Sequence, residues 1–376
     1  MITRALEQQI QQHFGGDKAI IVFGARQVGK TTLLKHLYGP SDEVLWLNGD
    51  EEETRATFEH LSAATFATIL GNHKVCIIDE AQRIEDIGLK LKIIQDAYRD
   101  DLQLIATGSS SFDLANNINE PLTGRKWEYA LYPLSFVEMC AHHGLVEERN
   151  NLENRLLYGW YPDIVTHAHE ARERLTNLVS DNLYKDIYKW ENIKRPLKFE
   201  TLLKGLAFQV GSQVSTNELA QLTGLDNKTV LRYLDLLERS FIIFRLSSFS
   251  RNLRSELKTS SKFFFTDVGV RNALIGDFRP VALRQDIGGL FENFVIAEMF
   301  KTKDPLLKRS WFWRTHQQQE IDYLEEQDGQ LSAYEIKWNP RAKARFSSTF
   351  TKAYDPATTT VINRETFSDL LLQRGK

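Results

Sequence analysis

The sequence has little cysteine and no long apolar run, and both shortages restrict what the protein can be. Only Cys76 and Cys140 occur in 376 residues, which excludes a disulfide framework and fits a reducing cytoplasm. No apolar stretch approaches the length that spans a bilayer. The amino terminus also lacks the apolar core of a signal peptide. We therefore expect a cytoplasmic protein without membrane attachment.

A strong excess of charge of one sign is also missing. The formal net charge is −3, so overall charge does not indicate a nucleic-acid partner, and any such contact must come from local patches. The sequence contains no internal repeat and no low-complexity segment. Its 42% hydrophobic and 26% charged residues are typical of a globular protein, and its length predicts two or three domains.

One stretch near the amino terminus reads G-x-x-x-x-G-K-T. It follows residues 19–23, a short β-branched run typical of a buried strand, and it precedes a segment with helical spacing. Strand, glycine loop and helix form the context of a P-loop, whose backbone N–H groups would surround the phosphates of ATP. The predicted nucleotide contacts are Gly24, Ala25, Arg26, Gln27, Val28, Gly29, Lys30, Thr31, Thr32 and, downstream, Asp79.

Specific roles follow from the chemistry of these side chains. Lys30 would reach the β- and γ-phosphates, and the Thr31 hydroxyl would hold Mg²⁺. Asp79 and Glu80 directly follow four apolar residues, which is the pattern of a Walker B motif. Asp79 would complete the Mg²⁺ shell, and Glu80 would polarise the water that attacks the γ-phosphate.

A further apolar run, residues 102–109, ends in small polar residues. Thr107 or Ser109 could contact the γ-phosphate or the attacking water from the tip of that strand. Alternatively, Ser109 or Ser110 caps the following helix. The alternation of β and α segments, with the ligand loop at a strand's carboxyl end, predicts a parallel sheet with helices on both faces.

This amino-terminal part resembles the AAA+ branch of the P-loop ATPases in its P-loop, its Asp79–Glu80 pair and its strand end at Thr107. The resemblance implies that Asn48, at the end of the second strand, restrains the catalytic glutamate. It also implies that Arg125, just before the fifth strand, is an arginine finger for the neighbouring subunit. We therefore expect a homo-oligomeric ring, a hexamer. Alternatively, Arg125 is a surface arginine beside a turn.

The middle of the chain has the pattern of a DNA-binding element. Residues 215–244 read as helix, glycine turn, helix and strand, which is the layout of a winged helix. In a DNA-binding version, Asn227, Lys228 and Arg232 would face the groove or the phosphates. Alternatively, the element packs only against protein.

A locally basic segment follows at residues 250–262. Its side chains Arg251, Arg254, Lys258 and Lys262 could follow a phosphate backbone. Alternatively, these cations belong to a solvated loop.

The C-terminal third carries a second set of charged residues. Asp322 lies on one predicted strand, and Glu335 and Lys337 share one face of the next, because they are two residues apart. Glu292 is set into an apolar helix. Carboxylates suit Mg²⁺, and the lysine would act on a water that attacks a phosphodiester. The arrangement resembles the PD-(D/E)xK nuclease fold; alternatively, it is a salt-bridged and inactive relative of that fold.

Taken whole, the chain resembles the prokaryotic AAA-type ATPases, of the AAA-14 type, that carry a C-terminal domain of unknown function 4143. The predicted class is α/β, with a P-loop parallel-sheet domain at 1–146, a helical lid or linker at 147–204, a winged helix at 205–255 and a nuclease-like domain at 256–376. The resemblance implies an ATPase that binds or remodels DNA. The alternative is an ATP-gated switch that binds a protein partner and does not cleave.

Overall fold

The computed structural model describes residues 1–109, 121–183, 196–250, 261–302, 308–315 and 317–375, without the side chains of 181–183. Contacts divide the chain into two compact units. The first comprises Met1–Leu134 with Arg239–Phe241, and the second comprises Ser135–Glu238 with Ile242–Lys376. Among the helices of the described residues, none has both the length and the apolar character needed to cross a bilayer.

A parallel sheet forms the centre of the first unit. Its described strands are β1 Ala19–Phe23, β2 Val44–Asn48, β3 Val75–Asp79, β4 Gln103–Gly108 and β5 Lys126–Ala130. They lie in the order β2-β3-β4-β1-β5, and neighbouring strands run parallel. Every residue of β1, β3 and β4 is buried, as expected for strands that are covered on both faces. The α/β class with a parallel sheet is thereby confirmed.

The helices of this unit are Leu6–His13, Lys30–Tyr38, Glu52–Glu59, Ala63–Leu70 and Ile87–Ala97, with a 3₁₀ turn at Ala81–Arg83. Helix Ala63–Leu70 begins with a capping box, in which Ser62 and Thr65 bond each other's backbone N–H. Apolar side chains from Ile87–Ala97 and from the strands form one buried core.

Helices dominate the start of the second unit. They are Phe136–His143, Leu145–Asn150, Leu152–Tyr158, Pro162–Thr166, Ala171–Asn177 and Pro196–Phe208, with a 3₁₀ turn at Ala168–Glu170 and a π-helix at Leu178–Leu183. Ser135 and Glu138 form the capping box that starts the first of them. This helix belongs to the second unit, whereas the sequence placed the end of the first domain at 146.

A second sheet unites the rest of this unit. Its described strands are β6 Gln213–Val214, β7 Ile243–Ser248, β8 Ser261–Phe265, β9 Lys308–Arg314, β10 Glu320–Gln327, β11 Gln330–Lys337 and β12 Thr358–Asn363. They lie in the order β12-β11-β10-β9-β7-β8-β6. The pairs β11–β12 and β7–β9 are parallel, and the others are antiparallel.

The remaining helices are Thr216–Thr223, Asn227–Arg239, Val268–Ile275, Ile287–Lys301, Ser348–Tyr354 and Phe367–Arg374, with a 3₁₀ turn at Val281–Leu283. Helix Ile287–Lys301 is apolar on most sides, which is typical of a buried helix. Its Asn293 side chain bonds both the N–H and the C=O of Phe265 in β8. The segments predicted as winged helix, which contains β6 and β7, and as nuclease-like domain, which contains β8 to β12, contribute strands to one sheet.

Close packing makes one helix of the second unit depend on a glycine. A Cβ at Gly269, in helix Val268–Ile275, would lie 2.2 Å from the carbonyl oxygen of Tyr158. At Gly288, in helix Ile287–Lys301, a Cβ would meet nothing within 4 Å. A side chain would therefore clash at Gly269 but not at Gly288, so the two helical glycines can be compared directly.

We expect Gly269→Ala to lower the free energy of unfolding of the second unit by about 1–3 kcal/mol, because the added methyl overpacks the site. Gly288→Ala should be neutral or should stabilise by up to about 1 kcal/mol, because alanine favours a helix. Urea unfolding followed by tryptophan fluorescence measures both. Equal effects of the two substitutions would contradict the close approach at Gly269.

Candidate functional site

The P-loop joins β1 to helix Lys30–Tyr38 at the carboxyl end of the parallel strands. Gln27 and Gly29 have φ values of 61° and 98°, so the chain turns sharply there. A Cβ at Gly24 would lie 2.3 Å from the carbonyl oxygen of Leu131, which requires glycine at the start of the loop. The predicted loop thus has the tight backbone that phosphate binding needs.

Lys30 is buried at the first turn of that helix. Its Nζ donates to the carbonyl oxygens of Gly24 at 2.9 Å and of Ala25 at 3.0 Å. A buried ammonium needs such partners, and phosphate oxygens are stronger ones because the bonds are then charge-assisted on both sides. The loop therefore holds its lysine next to the backbone that would surround the phosphates.

Asp79, at the end of β3, connects three segments of the site. Its Oδ2 accepts a bond of 2.7 Å from Thr31 Oγ1, and its Oδ1 accepts one of 2.5 Å from Thr107 Oγ1. The Thr107 hydroxyl in turn accepts from the backbone N–H of Glu80 at 3.1 Å. Hydroxyl and carboxylate oxygens are ligands that Mg²⁺ prefers, so Thr31 and Asp79 fit the predicted magnesium site.

Glu80 has a strained backbone and a held side chain. Its φ of 50° is uncommon for a residue other than glycine, and such conformations cluster at functional sites. Gln82 Nε2 donates to Glu80 Oε2 at 2.6 Å and to Ser109 Oγ at 3.0 Å. Gln82 therefore fixes the predicted catalytic carboxylate relative to the end of β4. Gln82 was not expected from the sequence, since a glutamine after a Walker B pair carries no motif signal.

Asn48 and Arg125 have local partners. Asn48 lies beside Asp79 in the register of β2 and β3, and its Oδ1 accepts from the Asp50 N–H at 3.1 Å. Arg125 donates from Nε to Asp96 Oδ1 at 2.6 Å, at the start of β5. The roles of both side chains stay predictions.

The register of the parallel strands limits what Arg125 can reach. Lys126 pairs with Ala19, whereas the P-loop follows Phe23 at the other end of β1. Four residues of strand separate the two levels by about 13 Å. Arg125 therefore lies far from the P-loop of its own chain, and a catalytic role is compatible only with the site of another subunit.

The predicted DNA contacts are only partly within the described residues. Asn227, Lys228 and Arg232 are exposed on helix Asn227–Arg239, and the last two share a face because they are one turn apart. Asn227 donates to Asn217 Oδ1 at 2.6 Å. Arg251, Arg254 and Lys258 lie outside the described residues.

The three motif residues of the C-terminal part come together between β10 and β11. Lys337 Nζ lies 2.9 Å from Asp322 Oδ2 and 2.8 Å from Glu335 Oε2. Burial raises the pKa of Glu335 to about 7, and the charge of Asp322 acts in the same direction. Burial alone would lower the pKa of Lys337, but the two carboxylates outweigh it and raise that pKa.

Glu292 joins this group through Lys262, which the sequence placed in the exposed basic segment at 250–262 but which is buried on β8. Lys262 Nζ lies 3.2 Å from Glu292 Oε1 and forms a second ion pair with Glu320. Burial raises the pKa of Glu292 to about 8, although Lys262 opposes the shift. The sequence spacing could have indicated Glu320 as a further member of this group, because it precedes Asp322 by two residues in β10. Among the described side chains, no group of three or more His, Cys, Asp or Glu residues could hold a metal ion.

Three family models match the chain in succession. An AAA domain matches residues 16–140, domain of unknown function 8612 matches 149–280, and domain of unknown function 4143 matches 287–373. An uncharacterized protein of Haemophilus influenzae is 26% identical over 318 residues, which are 78% of this chain and 77% of that protein. One of Mycobacterium tuberculosis is 25% identical over 327 residues, or 85% and 70%.

A solved structure resembles the chain beyond the first unit. The Walker-type ATPase of Pyrococcus abyssi superposes with a TM-score of 0.51 at 16% identity, over 73% of this chain and 96% of that one. At this identity the likeness concerns the fold alone. It agrees with the α/β class and the parallel sheet described above.

Proposed function

Because the chain belongs to the AAA-type P-loop ATPases that carry a C-terminal domain of unknown function 4143, we propose that it hydrolyses ATP and couples hydrolysis to the binding or remodelling of DNA. The observation that carries the proposal is the Asp79 carboxylate, bonded to Thr31 and Thr107 beside the P-loop. We place this activity in the cytoplasm, in a homo-oligomeric ring of six subunits.

In the proposed reaction each residue has one task. Lys30 binds the β- and γ-phosphates, and Thr31 and Asp79 would hold Mg²⁺. Bound Mg²⁺ supplies charge neutralisation of the phosphates. Glu80 accepts the proton of the attacking water while Gln82 holds its carboxylate in place, and Thr107 keeps Asp79 oriented. Asn48 would restrain Glu80 before ATP binds.

Completion of the site by a neighbouring subunit is part of the proposal. Arg125 is about half exposed and is paired with a carboxylate, Asp96, that is equally exposed. An exposed ion pair of this kind contributes little to stability, so a stronger anionic partner can replace it. The γ-phosphate of an adjacent subunit's ATP is such a partner.

DNA binding is proposed for the second unit. Lys228 and Arg232 on helix Asn227–Arg239 would contact phosphates or base edges together with Asn227. Arg251, Arg254 and Lys258 would extend the contact along the backbone. The nuclease-like residues Glu292, Asp322, Glu335 and Lys337 would serve in a domain that grips DNA without cutting it.

A second candidate is an ATP-gated switch that binds a protein partner. Helices Pro196–Phe208, Thr216–Thr223 and Asn227–Arg239 of the second unit favour it, because they carry large apolar side chains that are exposed. These side chains are Leu197, Phe208, Leu222 and Leu231. Leu231 adjoins Arg232 on the helix proposed to contact DNA. Exposed apolar side chains around a helix of this kind also suit a protein interface.

The roles of Lys30 and Glu80 predict different defects. Lys30→Ala should weaken ATP binding by about 10- to 100-fold, because the phosphates lose a charge-assisted contact. Glu80→Gln should leave binding intact and lower kcat by a factor of about 100 to 10,000, because the general base is lost. Calorimetric ATP binding and steady-state phosphate release separate the two. Wild-type turnover in Glu80→Gln would refute the assignment of the base.

Arg125→Ala should lower kcat by about a thousandfold or more with ATP affinity nearly unchanged. Arg99→Ala is the matched control, since Arg99 is also an exposed arginine paired with an aspartate, Asp17, in the same unit. Mixing Arg125→Ala with Glu80→Gln subunits should restore part of the activity, because some interfaces then combine an intact site with an intact arginine. Sedimentation that shows only monomers in ATP would exclude the ring.

DNA binding should weaken steeply as salt rises, and Lys228→Ala/Arg232→Ala should reduce the salt slope by about one per lost phosphate contact. The control is Arg149→Ala/Lys352→Ala, which removes two exposed cations elsewhere in the second unit. Filter binding across a salt series measures the slope, and a plasmid-nicking assay with Mg²⁺ or Mn²⁺ should show no cleavage. Absence of both DNA binding and nicking would instead favour the protein-binding switch.

A further inference from the structure

Lys262 is a buried lysine within a group of charged side chains in the second unit, of which Glu292, Glu320 and Lys337 are partly exposed. This charged cluster consists of Lys262, Glu292, Glu320, Asp322, Glu335 and Lys337. Lys262 is 1% exposed, on β8, and its Nζ lies 5.4 Å from the centre of the Phe312 ring. It is among the largest fully buried side chains of the described residues. An ammonium at such a place must be paired, because an unpaired buried charge is very costly.

The Lys262 ammonium forms ion pairs with two carboxylates. Its Nζ lies 3.2 Å from Glu292 and contacts Glu320 as well, so it joins helix Ile287–Lys301 to β10. Gly211 closes the site behind Glu292: a Cβ there would lie 3.2 Å from Glu292 Oε2. Because Lys262 is only 1% exposed, its ammonium could leave the carboxylates only if the surrounding core repacked.

We infer that Lys262 takes the place that a divalent cation would occupy in this cluster, so that the cluster does not bind Mg²⁺ or Mn²⁺ in the native protein. Glu292, which the nuclease resemblance assigns to a metal, and Glu320 on β10 already share the ammonium of Lys262. A divalent ion beside these two carboxylates would meet this buried positive charge, and like charges repel strongly at close range. The residues present do not fit the metal.

Removal of the lysine should create the missing site. Without Lys262, the carboxylates of Glu292 and Glu320 would lose the ammonium that they share. Of the cations in the described residues, Lys337 would still pair with Asp322, and Arg314 would still lie 3.6 Å from Glu320. Carboxylates left without a shared cation repel one another and attract a hard divalent ion. The inference depends neither on ATP hydrolysis nor on DNA binding.

The test is Mn²⁺ binding to the full chain, measured by electron paramagnetic resonance without nucleotide. All variants carry Asp79→Asn, which removes the carboxylate predicted to hold metal in the nucleotide site. The parent should bind no Mn²⁺, and Lys262→Met should gain one bound ion that the further change Glu320→Gln removes. Lys308→Met is the matched control, because Lys308 also faces a carboxylate, Glu325 at 3.9 Å, in the same sheet. It should gain no ion.

Two outcomes would overturn the inference: Mn²⁺ binding by the parent that Glu292→Gln abolishes, or a folded Lys262→Met chain that binds no ion. If Lys262→Met does not fold, the inference is tested instead by the thermal unfolding midpoint of the double variant Lys262→Met/Glu292→Gln. Removing both partners of a buried pair destabilises a protein far less than removing one. The double variant should therefore unfold at a temperature close to that of the parent. A double variant as unstable as Lys262→Met would show that Lys262 is not the cation of the cluster.

Discussion

The carboxylate of Asp79 receives one hydrogen bond from Thr31, at the start of the P-loop helix, and another from Thr107, at the end of β4. The parallel register of β3 and β4 places Asp79 next to Thr107 at the carboxyl ends of the two strands. If either bond were absent, a buried carboxylate oxygen would lack a partner, which costs about 1–3 kcal/mol. The geometry of the nucleotide site therefore depends on this one side chain.

Local patterns were sufficient to predict the first unit. Short apolar strands, a glycine loop and a pair of carboxylates after an apolar run are local patterns, and together they predicted a parallel sheet with the P-loop at a strand's carboxyl end. The strand order β2-β3-β4-β1-β5 came only from the structure. Gln82 could not be found in this way, because its contact with Ser109 spans residues that only the folded sheet brings together. The AAA-type resemblance with a C-terminal domain of unknown function 4143 was correct, and the roles of individual site residues stay predictions.

The second unit was harder to predict, since its decisive contacts are distant in sequence. The period of two placed Glu335 and Lys337 on one face, and the structure does bring Asp322 to them. From the local excess of cations, Lys262 was expected at the end of the basic segment 250–262, because no local pattern shows that β8 buries this residue beside helix Ile287–Lys301. A buried lysine neutralises the carboxylates around it. The motif residues are therefore present, but their charges are already compensated from within the chain.

The parallel pairing of β7 with β9 joins the segments that match domains of unknown function 8612 and 4143. Asn293 reinforces the junction, since it bonds Phe265 across the same boundary. A recombination event that exchanged only one segment would leave an open strand edge and an unpaired amide inside a core. The two segments should therefore be inherited together, as one evolutionary module, even though they match separate families.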